Sequence, residues 1–201
     1  MLIAPGIDAA EWQALKLDDP HSPDWDRAIV IFEARIQGRF VDPVDLLISS
    51  EDSKVASEKR FGFAILAIDC LLVETLDAFR EGLKDTRGKS ETAFCRFLTY
   101  RPTFANHFDK KRAKRFYEDV RCTILHQAEI TEGRVWSVGP LVQEKDGEII
   151  VNRTEFHRAL KAEFENYLAE LRSPKEAKLR GNFRKKMNYI CGAPDHGRGR
   201  G

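Results

Sequence analysis

Residues 61–79 form the sequence feature that most limits how this chain can fold. Drawn as a helix, the stretch is apolar on nearly every side, and its acidic residues are Asp69, Glu74 and Asp77. A helix that is apolar all round is normally the central, buried helix of a domain. A membrane span needs about 20 predominantly apolar residues, and three carboxylates argue against that role. The stretch therefore predicts a buried central helix over about 56–81.

Composition and cysteine usage narrow the class of protein. The chain has 201 residues, of which 42% are hydrophobic and 32% charged, as expected for about one soluble domain with a core. The N-terminus lacks the basic and apolar regions of a secretory signal. Its four cysteines are scattered, with no CxxC pair, which favours reduced thiols over a zinc site. We expect a cytoplasmic protein with no cofactor, no bound metal and no membrane contact.

Helical spacing of apolar residues predicts the remaining helices, with Asp24, Asp109 and Thr154 as candidate N-caps. The predicted helices cover 25–38, 91–98, 110–127, 155–171 and 176–189. Around residues 135–151 the pattern changes to the alternation of β-strands, and Asp146-Gly147 is typical of a type I′ hairpin turn. The predicted fold class is mainly α, a helical bundle with a small β-hairpin insertion at about 134–152.

The predicted organisation is an N-terminal arm (1–23), a helical domain (24–173), and a basic helix with a disordered tail (174–201). Residues 1–50 carry nine acidic and four basic side chains, whereas residues 172–201 carry nine basic and two acidic ones. This asymmetry permits an anionic partner for the tail or an acidic arm packed on a basic one. A solvated basic tail explains it equally well.

The helix predicted at 110–127 carries the most suggestive side chains, Arg121 and His126. With about 100° per residue, Arg121 lies at the edge of the apolar stripe and His126 about 140° further round. Histidine moves protons near neutral pH, and arginine clamps a phosphate whose negative charge is growing. The pair therefore fits phosphodiester cleavage without a metal. A surface histidine and a salt-bridged arginine are the structural alternative.

The segment Arg121-Cys-Thr-Ile-Leu-His126 resembles the R-x4–6-H motif of HEPN-domain ribonucleases. Residues 31–39, 61–79 and 135–140 are similar to a group of uncharacterised bacterial proteins with this motif. The resemblance implies a helical bundle that forms homodimers and joins two motifs into one RNA-cleaving site. Arg121 would be the phosphate clamp and His126 the general acid or base. A toxin, defence or RNA-processing role, with RNA as partner and scope for a protein inhibitor, is also implied.

Two acidic residues on the central helix complete the candidate catalytic group, because HEPN proteins commonly place a further polar residue there. Asp69 and Glu74 both have apolar neighbours, and a buried carboxylate needs a partner or a raised pKa. Arg121 is the expected partner. Asp69 is preferred and Glu74 held in reserve, since Ile68 and Cys70 flank Asp69. Such an acid either orients the catalytic pair or forms a structural ion pair.

Five basic residues precede the motif on the same helix. Cations in a first helical turn oppose the helix dipole, so an RNA backbone nearby would explain them; a solvated face is the other explanation. The candidate RNA-binding residues are Lys110, Lys111, Arg112, Lys114 and Arg115.

The sequence leaves two further functions open. Many HEPN proteins have a polar residue after the motif arginine, whereas this chain has Cys122. That departure favours a non-catalytic module that binds RNA, a nucleotide or a protein. A purely structural or assembly protein is the third alternative. The other histidines, His157 among them, show no second catalytic group at a readable spacing and are interpreted as structural or incidental.

Overall fold

The structure, a computed structural model, describes residues 1–51, 60–127 and 129–193. This part of the chain is mainly helical with two small sheets, which confirms the prediction of a mainly α protein. The helices are α1 (Ala9–Gln13), α2 (Asp24–Ile36), α3 (Asp42–Glu51), α4 (Gly62–Glu81), α5 (Ser90–Tyr100), α6 (Pro102–Ala105), α7 (Lys110–Phe116), α8 (Thr123–Gln127), α9 (Arg153–Arg172) and α10 (Ala177–Cys191). The strands are β1 (Leu2–Ala4), β2 (Ile7–Asp8), β3 (Gly133–Trp136), β4 (Val142–Lys145) and β5 (Glu148–Asn152).

The chain divides into two compact units, each built from segments that are distant in sequence. The first unit contains Met1–Arg39, Ala78–Thr86 and Glu165–Gly201, and the second contains Phe40–Asp77 and Arg87–Phe164. The sequence-based division into arm, domain and tail followed the order of the chain instead. The predicted disordered tail falls mostly on residues 194–201, outside the described part.

In the first unit, the acidic N-terminal segment packs on the basic C-terminal helix. Trp12 Nε1 donates a 2.8 Å hydrogen bond to Asn188 Oδ1, and the Trp12 ring meets Phe183 edge-on. Arg184 lies 2.8 Å from Asp18. Of the three explanations given for the charge asymmetry, these contacts support the packing of an acidic arm on a basic segment.

The second unit contains the greater part of α4, and α4 is less enclosed than predicted. Its residues Ile65, Leu66 and Leu72 are buried, but Phe63 and Leu71 are exposed. The expectation of a helix buried on all sides is therefore wrong for one face. The predicted start near residue 56 falls on residues 52–59, outside the described residues, and α4 begins at Gly62.

The larger sheet contains the predicted hairpin and a third strand, β3, which overlaps the strand pattern predicted from residue 135. β4 and β5 pair in antiparallel register, and Asp146 (φ 54°) and Gly147 (φ 84°) both have the positive φ of a type I′ turn. The predicted hairpin is confirmed. β3 joins the other edge of β5 in parallel, giving the strand order β3-β5-β4.

Two of the three predicted helix caps are wrong. Asp109 Oδ1 accepts a hydrogen bond from the Arg112 amide and caps α7 as expected. Asn152 caps α9 instead of Thr154, because its Oδ1 accepts from the amides of Thr154 and Glu155. Asp24 is the first residue of α2, and its carboxylate binds the Lys16 amide instead.

No helix in the described ranges is long and apolar enough to cross a membrane. All four cysteines are free thiols.

The half-buried Cys95 thiol on α5 provides a pH-dependent test of this packing. Burial, assisted by the charges of Glu91 and Glu118, raises its pKa from 9.0 to about 11. Since the thiolate is the reactive form, we expect slow alkylation by iodoacetamide at about pH 8 and a steady rise in rate towards pH 11. Peptide mass spectrometry measures the rate. Denatured protein is the control, and equal rates in folded and denatured chains would contradict the assignment.

Candidate functional site

A change in helix type separates the two residues of the motif. The helix predicted at 110–127 consists of α7, a π-helical turn (Tyr117–Cys122) and α8. Arg121 lies in the π-helical turn and His126 in α8. A π-helical turn has i→i+5 hydrogen bonds, which changes the register of the residues after it. Such turns are frequent at functional sites.

Arg121 is bound to Glu74 of α4. Its Nε donates a 2.7 Å hydrogen bond to Glu74 Oε1, and its Nη2 lies 2.6 Å from the same oxygen. Ser90 Oγ donates to the other carboxylate oxygen, Oε2, at 2.6 Å. The side chains are only 13% (Arg121) and 10% (Glu74) exposed. Glu74 therefore holds the guanidinium in a fixed, largely dehydrated position.

The surroundings keep this guanidinium charged. Burial lowers the pKa of Arg121, but Glu74, together with Tyr117 and Cys122, more than offsets this effect, so the pKa is raised overall. The Tyr117 ring lies 5.2 Å from the guanidinium carbon, and its hydroxyl is close to Ser90 and Cys122. We call Glu74, Ser90, Tyr117, Arg121 and Cys122 the Arg121 cluster.

Asp69 is hydrogen-bonded to His157, and the partner of Arg121 is Glu74. The prediction that preferred Asp69 over Glu74 is therefore wrong. Asp69 Oδ1 is hydrogen-bonded to His157 Nδ1 at 2.8 Å, and both side chains are buried. His157 Nε2 lies 3.4 Å from Asp45, which binds Lys161 at 2.6 Å. Burial raises the pKa of Asp69 although the His157 hydrogen bond opposes this shift. The buried hydrogen bond to Asp69 agrees with the interpretation of His157 as a structural residue.

His126 is exposed at the surface of the second unit. Within the described ranges the His126 side chain forms no hydrogen bond or ion pair, either with Arg121 or with another residue. Its neighbour Ile124 is buried and anchors α8. The structure therefore presents a free imidazole on one short helix and a fixed guanidinium on the turn before it.

The basic residues of α7 divide into two groups. Arg112 lies 3.0 Å from Glu144 of the hairpin, and Arg115 binds Asp119, Glu132 and the Gly147 carbonyl. These two arginines thus join α7 to the β4–β5 hairpin. Lys114 forms a surface pair with Glu118 at 3.6 Å. Lys110 and Lys111 are exposed, so the RNA-binding prediction depends mainly on the three lysines.

Sequence reasoning missed Ser90, Tyr117 and His157 as partners in these contacts. Ser90 is 16 residues from Glu74, and His157 is 88 residues from Asp69. Neither pairing leaves a spacing signal in the sequence. The contact between Tyr117 and Arg121 could have been predicted from the sequence, because the two residues are one helical turn apart.

No protein-family model, curated protein or solved structure matches this chain. Among the residues with described positions, no group of three or more His, Cys, Asp or Glu side chains is arranged to hold a metal ion. The chemistry of the site is therefore inferred from its own side chains.

Proposed function

We propose that this protein is a metal-independent endoribonuclease of HEPN type, in which Arg121, His126 and Glu74 act on the RNA backbone. The observation that carries the proposal is the buried Glu74–Arg121 pair, with contacts of 2.6 and 2.7 Å, five residues before the exposed His126. A HEPN-like helical bundle, and a toxin, defence or RNA-processing role under a protein inhibitor, are parts of this proposal.

The geometry favours Arg121 as the phosphate clamp. Glu74 contacts Nε and Nη2 of the guanidinium, and the remaining nitrogen, Nη1, would donate to the phosphate. A cation that is already fixed stabilises developing charge without reorganising during the reaction. In this scheme Glu74 is a positioning residue, and Asp69 has a structural role with His157.

His126 would move the proton. As a general base it takes the proton of the ribose 2′-OH, and the 2′-oxygen then attacks phosphorus. The bond between phosphorus and the 5′-oxygen breaks, and a protonated imidazole supplies the proton that the leaving oxygen needs. The products are a 2′,3′-cyclic phosphate and a 5′-hydroxyl. An exposed imidazole suits this role because the substrate reaches it without a conformational change.

A second copy of the chain would complete the site. One face of α4 is apolar at helical spacing, with Ala64 and Leu71 exposed and Ala67 and Ile68 half-buried, and we call these four residues the α4 strip. Glu74 follows Leu71 by one helical turn, so the strip leads directly to the Arg121 cluster. An exposed apolar helix face beside a candidate site is typical of an interaction surface. Two strips in contact would bring two such clusters together.

Replacing Leu71 by aspartate is expected to abolish this homodimer and to lower RNA cleavage in parallel. The new carboxylates would have to be buried in the interface, which costs several kcal/mol. Analytical ultracentrifugation gives the oligomeric state, and far-ultraviolet circular dichroism checks the fold. Leu46→Asp, at an exposed leucine of α3, is the matched control. A wild-type monomer, or a variant that still forms dimers, would contradict the interface.

The enzyme proposal is tested with the purified full chain in excess EDTA, given single-stranded RNA and DNA of the same sequence. We expect cleavage of RNA and intact DNA, because DNA lacks the attacking 2′-OH. RNA that stays intact, or DNA that is cut equally fast, would refute the proposal.

The burial of Arg121 also favours a second candidate, a non-catalytic RNA-binding module. A guanidinium that is 13% exposed and bound to Glu74 offers fewer donors to a phosphate, and Cys122 replaces a polar residue. Lys110, Lys111 and Lys114 would then contact the RNA backbone. Salt-sensitive RNA binding without cleavage, unchanged in His126→Ala, is the result expected for this candidate.

A further inference from the structure

Four titratable side chains form a continuous series from the surface of the second unit to its core. Lys161 Nζ lies 2.6 Å from Asp45 Oδ2, and the other oxygen of Asp45 lies 3.4 Å from His157 Nε2. The opposite ring nitrogen, His157 Nδ1, is hydrogen-bonded to Asp69 Oδ1 at 2.8 Å. The series joins three helices, because Asp45 belongs to α3, Asp69 to α4 and His157 to α9. We call these four residues the His157 network.

The inner half of the His157 network is dehydrated, whereas the outer half is in contact with water. The side chains of His157 and Asp69 are 3% and 1% exposed, and those of Lys161 and Asp45 are 41% and 45% exposed. Among the residues that the structure describes, Asp69 Oδ2 and His157 Nε2 are buried atoms without a hydrogen bond. Such atoms are rare in folded proteins and call for an explanation.

The number of protons on the imidazole ring supplies this explanation. A neutral imidazole has one donor and one acceptor, whereas an imidazolium has two donors, and an ionised carboxylate only accepts. His157 has a carboxylate at each ring nitrogen, so both contacts are favourable together only when the ring carries both protons. Burial raises the pKa of Asp69 although its hydrogen bond with His157 opposes this shift. Both observations make the fully deprotonated pair, with a buried negative charge, the unfavourable state.

The other charged groups near the ring belong to α9. Lys161 and Arg153 lie one helical turn on either side of His157, and Lys161 is bound to Asp45. Arg153 forms a buried ion pair with Glu51, the last residue of α3. Neither an arginine nor a glutamate normally changes charge between pH 5 and about 9. The helix α3 is therefore attached to α9 at two places, of which one titrates near neutral pH.

We propose that His157 is the titratable part of a pH-dependent clasp, which holds α3 against α4 and α9 while the ring is protonated and weakens as the pH rises. When the proton leaves, Asp45 faces a ring nitrogen that no longer donates, and its remaining pair with Lys161 is too exposed to stabilise the fold much. The ion pair of Glu51 still holds the end of α3, so the loosening is confined to its first turns. The clasp uses neither Arg121 nor His126 and stands apart from the proposed ribonuclease activity.

The direction of the pH dependence follows from proton linkage. The clasp contributes fully below the ordinary histidine pKa of about 6.5, where the unfolded chain is protonated as well. Above that pH the unfolded chain releases its proton while the folded chain still holds one, so stability falls as the pH rises. The raised pKa of Asp69 acts in the same direction, because its contribution is also lost with rising pH.

Urea unfolding of the full chain between pH 5.5 and 9, followed by circular dichroism, tests the clasp. We expect the unfolding equilibrium constant to rise more steeply with pH in the wild type than in His157→Gln, by up to about tenfold per pH unit, the effect of one proton. Asp69→Asn and Asp45→Asn should each reduce this extra slope. His21→Gln, at an exposed histidine, is the matched control and should keep the wild-type slope. Hydrogen exchange of the α3 amides, corrected for the intrinsic rate, should rise with pH in the wild type alone.

Parallel pH profiles for the wild type and His157→Gln would overturn the clasp. If the buried variants fail to fold, Asp45→Asn decides the question, because Asp45 is 45% exposed, and an unchanged slope in that variant would overturn the proposal. Nitrogen-15 NMR of labelled histidine adds a direct measurement of the ring. Two protonated ring nitrogens in His157 at pH 6 are expected, and a neutral His157 with an ionised Asp69 across the whole range would contradict the clasp.

Discussion

Replacing His126 by alanine is expected to lower the rate of RNA cleavage by about 10²–10⁴-fold, the usual contribution of a general acid or base. The fold should be unaffected, because the side chain is exposed and forms no hydrogen bond or ion pair with the described residues. Initial rates on end-labelled RNA in excess EDTA measure the effect. Circular dichroism and the urea midpoint should match those of the wild type.

His21→Ala is the matched control for this loss, since His21 is exposed and lies in the first unit. It is expected to cleave RNA at the wild-type rate. A His126→Ala variant that remains within a factor of about two of the wild type would remove histidine from the mechanism. The binding-module interpretation would then be preferred, provided that the chain still binds RNA.

Replacing Glu74 by alanine is expected to lower the free energy of unfolding by about 3–5 kcal/mol, because Arg121 would keep a buried charge without a partner. Urea unfolding followed by circular dichroism gives the change. Ser90→Ala removes one neutral donor from the same carboxylate and should cost only about 1–3 kcal/mol.

A second substitution separates the lost ion pair from other effects. Adding Arg121→Met to Glu74→Ala removes the unpaired charge and should recover part of the lost stability, as found for buried pairs replaced by apolar side chains. A Glu74→Ala variant that loses less than about 1 kcal/mol would show that the pair is solvated, as surface pairs are. The fixed guanidinium of the proposed mechanism would then have no basis.

Local patterns in the sequence predicted the fold where local contacts decide it. Asp146 and Gly147 fixed the position of the hairpin turn, because both residues favour the positive φ that a type I′ turn needs. The parallel pairing of β3 with β5 was not predictable in this way, since no turn residue encodes it. The division into two units likewise depends on contacts between segments that are distant along the chain.

The candidate site was predictable as a motif but not as a set of contacts. Arg121 and His126 follow from their spacing, whereas the choice between Asp69 and Glu74 depends on which face of α4 meets the π-helical turn. The two acids are five residues apart and about 140° apart around α4. Asp69 is instead hydrogen-bonded to His157 of α9, which is 88 residues away along the chain.

The basic residues of α7 show the same limit. A run of cations predicts an anionic partner without saying which anion. For Arg112 the partner is Glu144, which is 32 residues away on β4. The hairpin returns beside α7 and supplies these acceptors, and neither spacing nor charge in the run itself indicates this.

The central claim, attack of a ribose 2′-OH assisted by His126, is tested most directly by one substitution in the RNA. The cleavage site is first mapped, and the nucleotide on its 5′ side is then replaced by its 2′-deoxy form. In excess EDTA we predict that this bond is no longer cut, while the unmodified RNA yields fragments that end in a 2′,3′-cyclic phosphate. Cleavage of the deoxy-substituted bond at the original rate would contradict the claim.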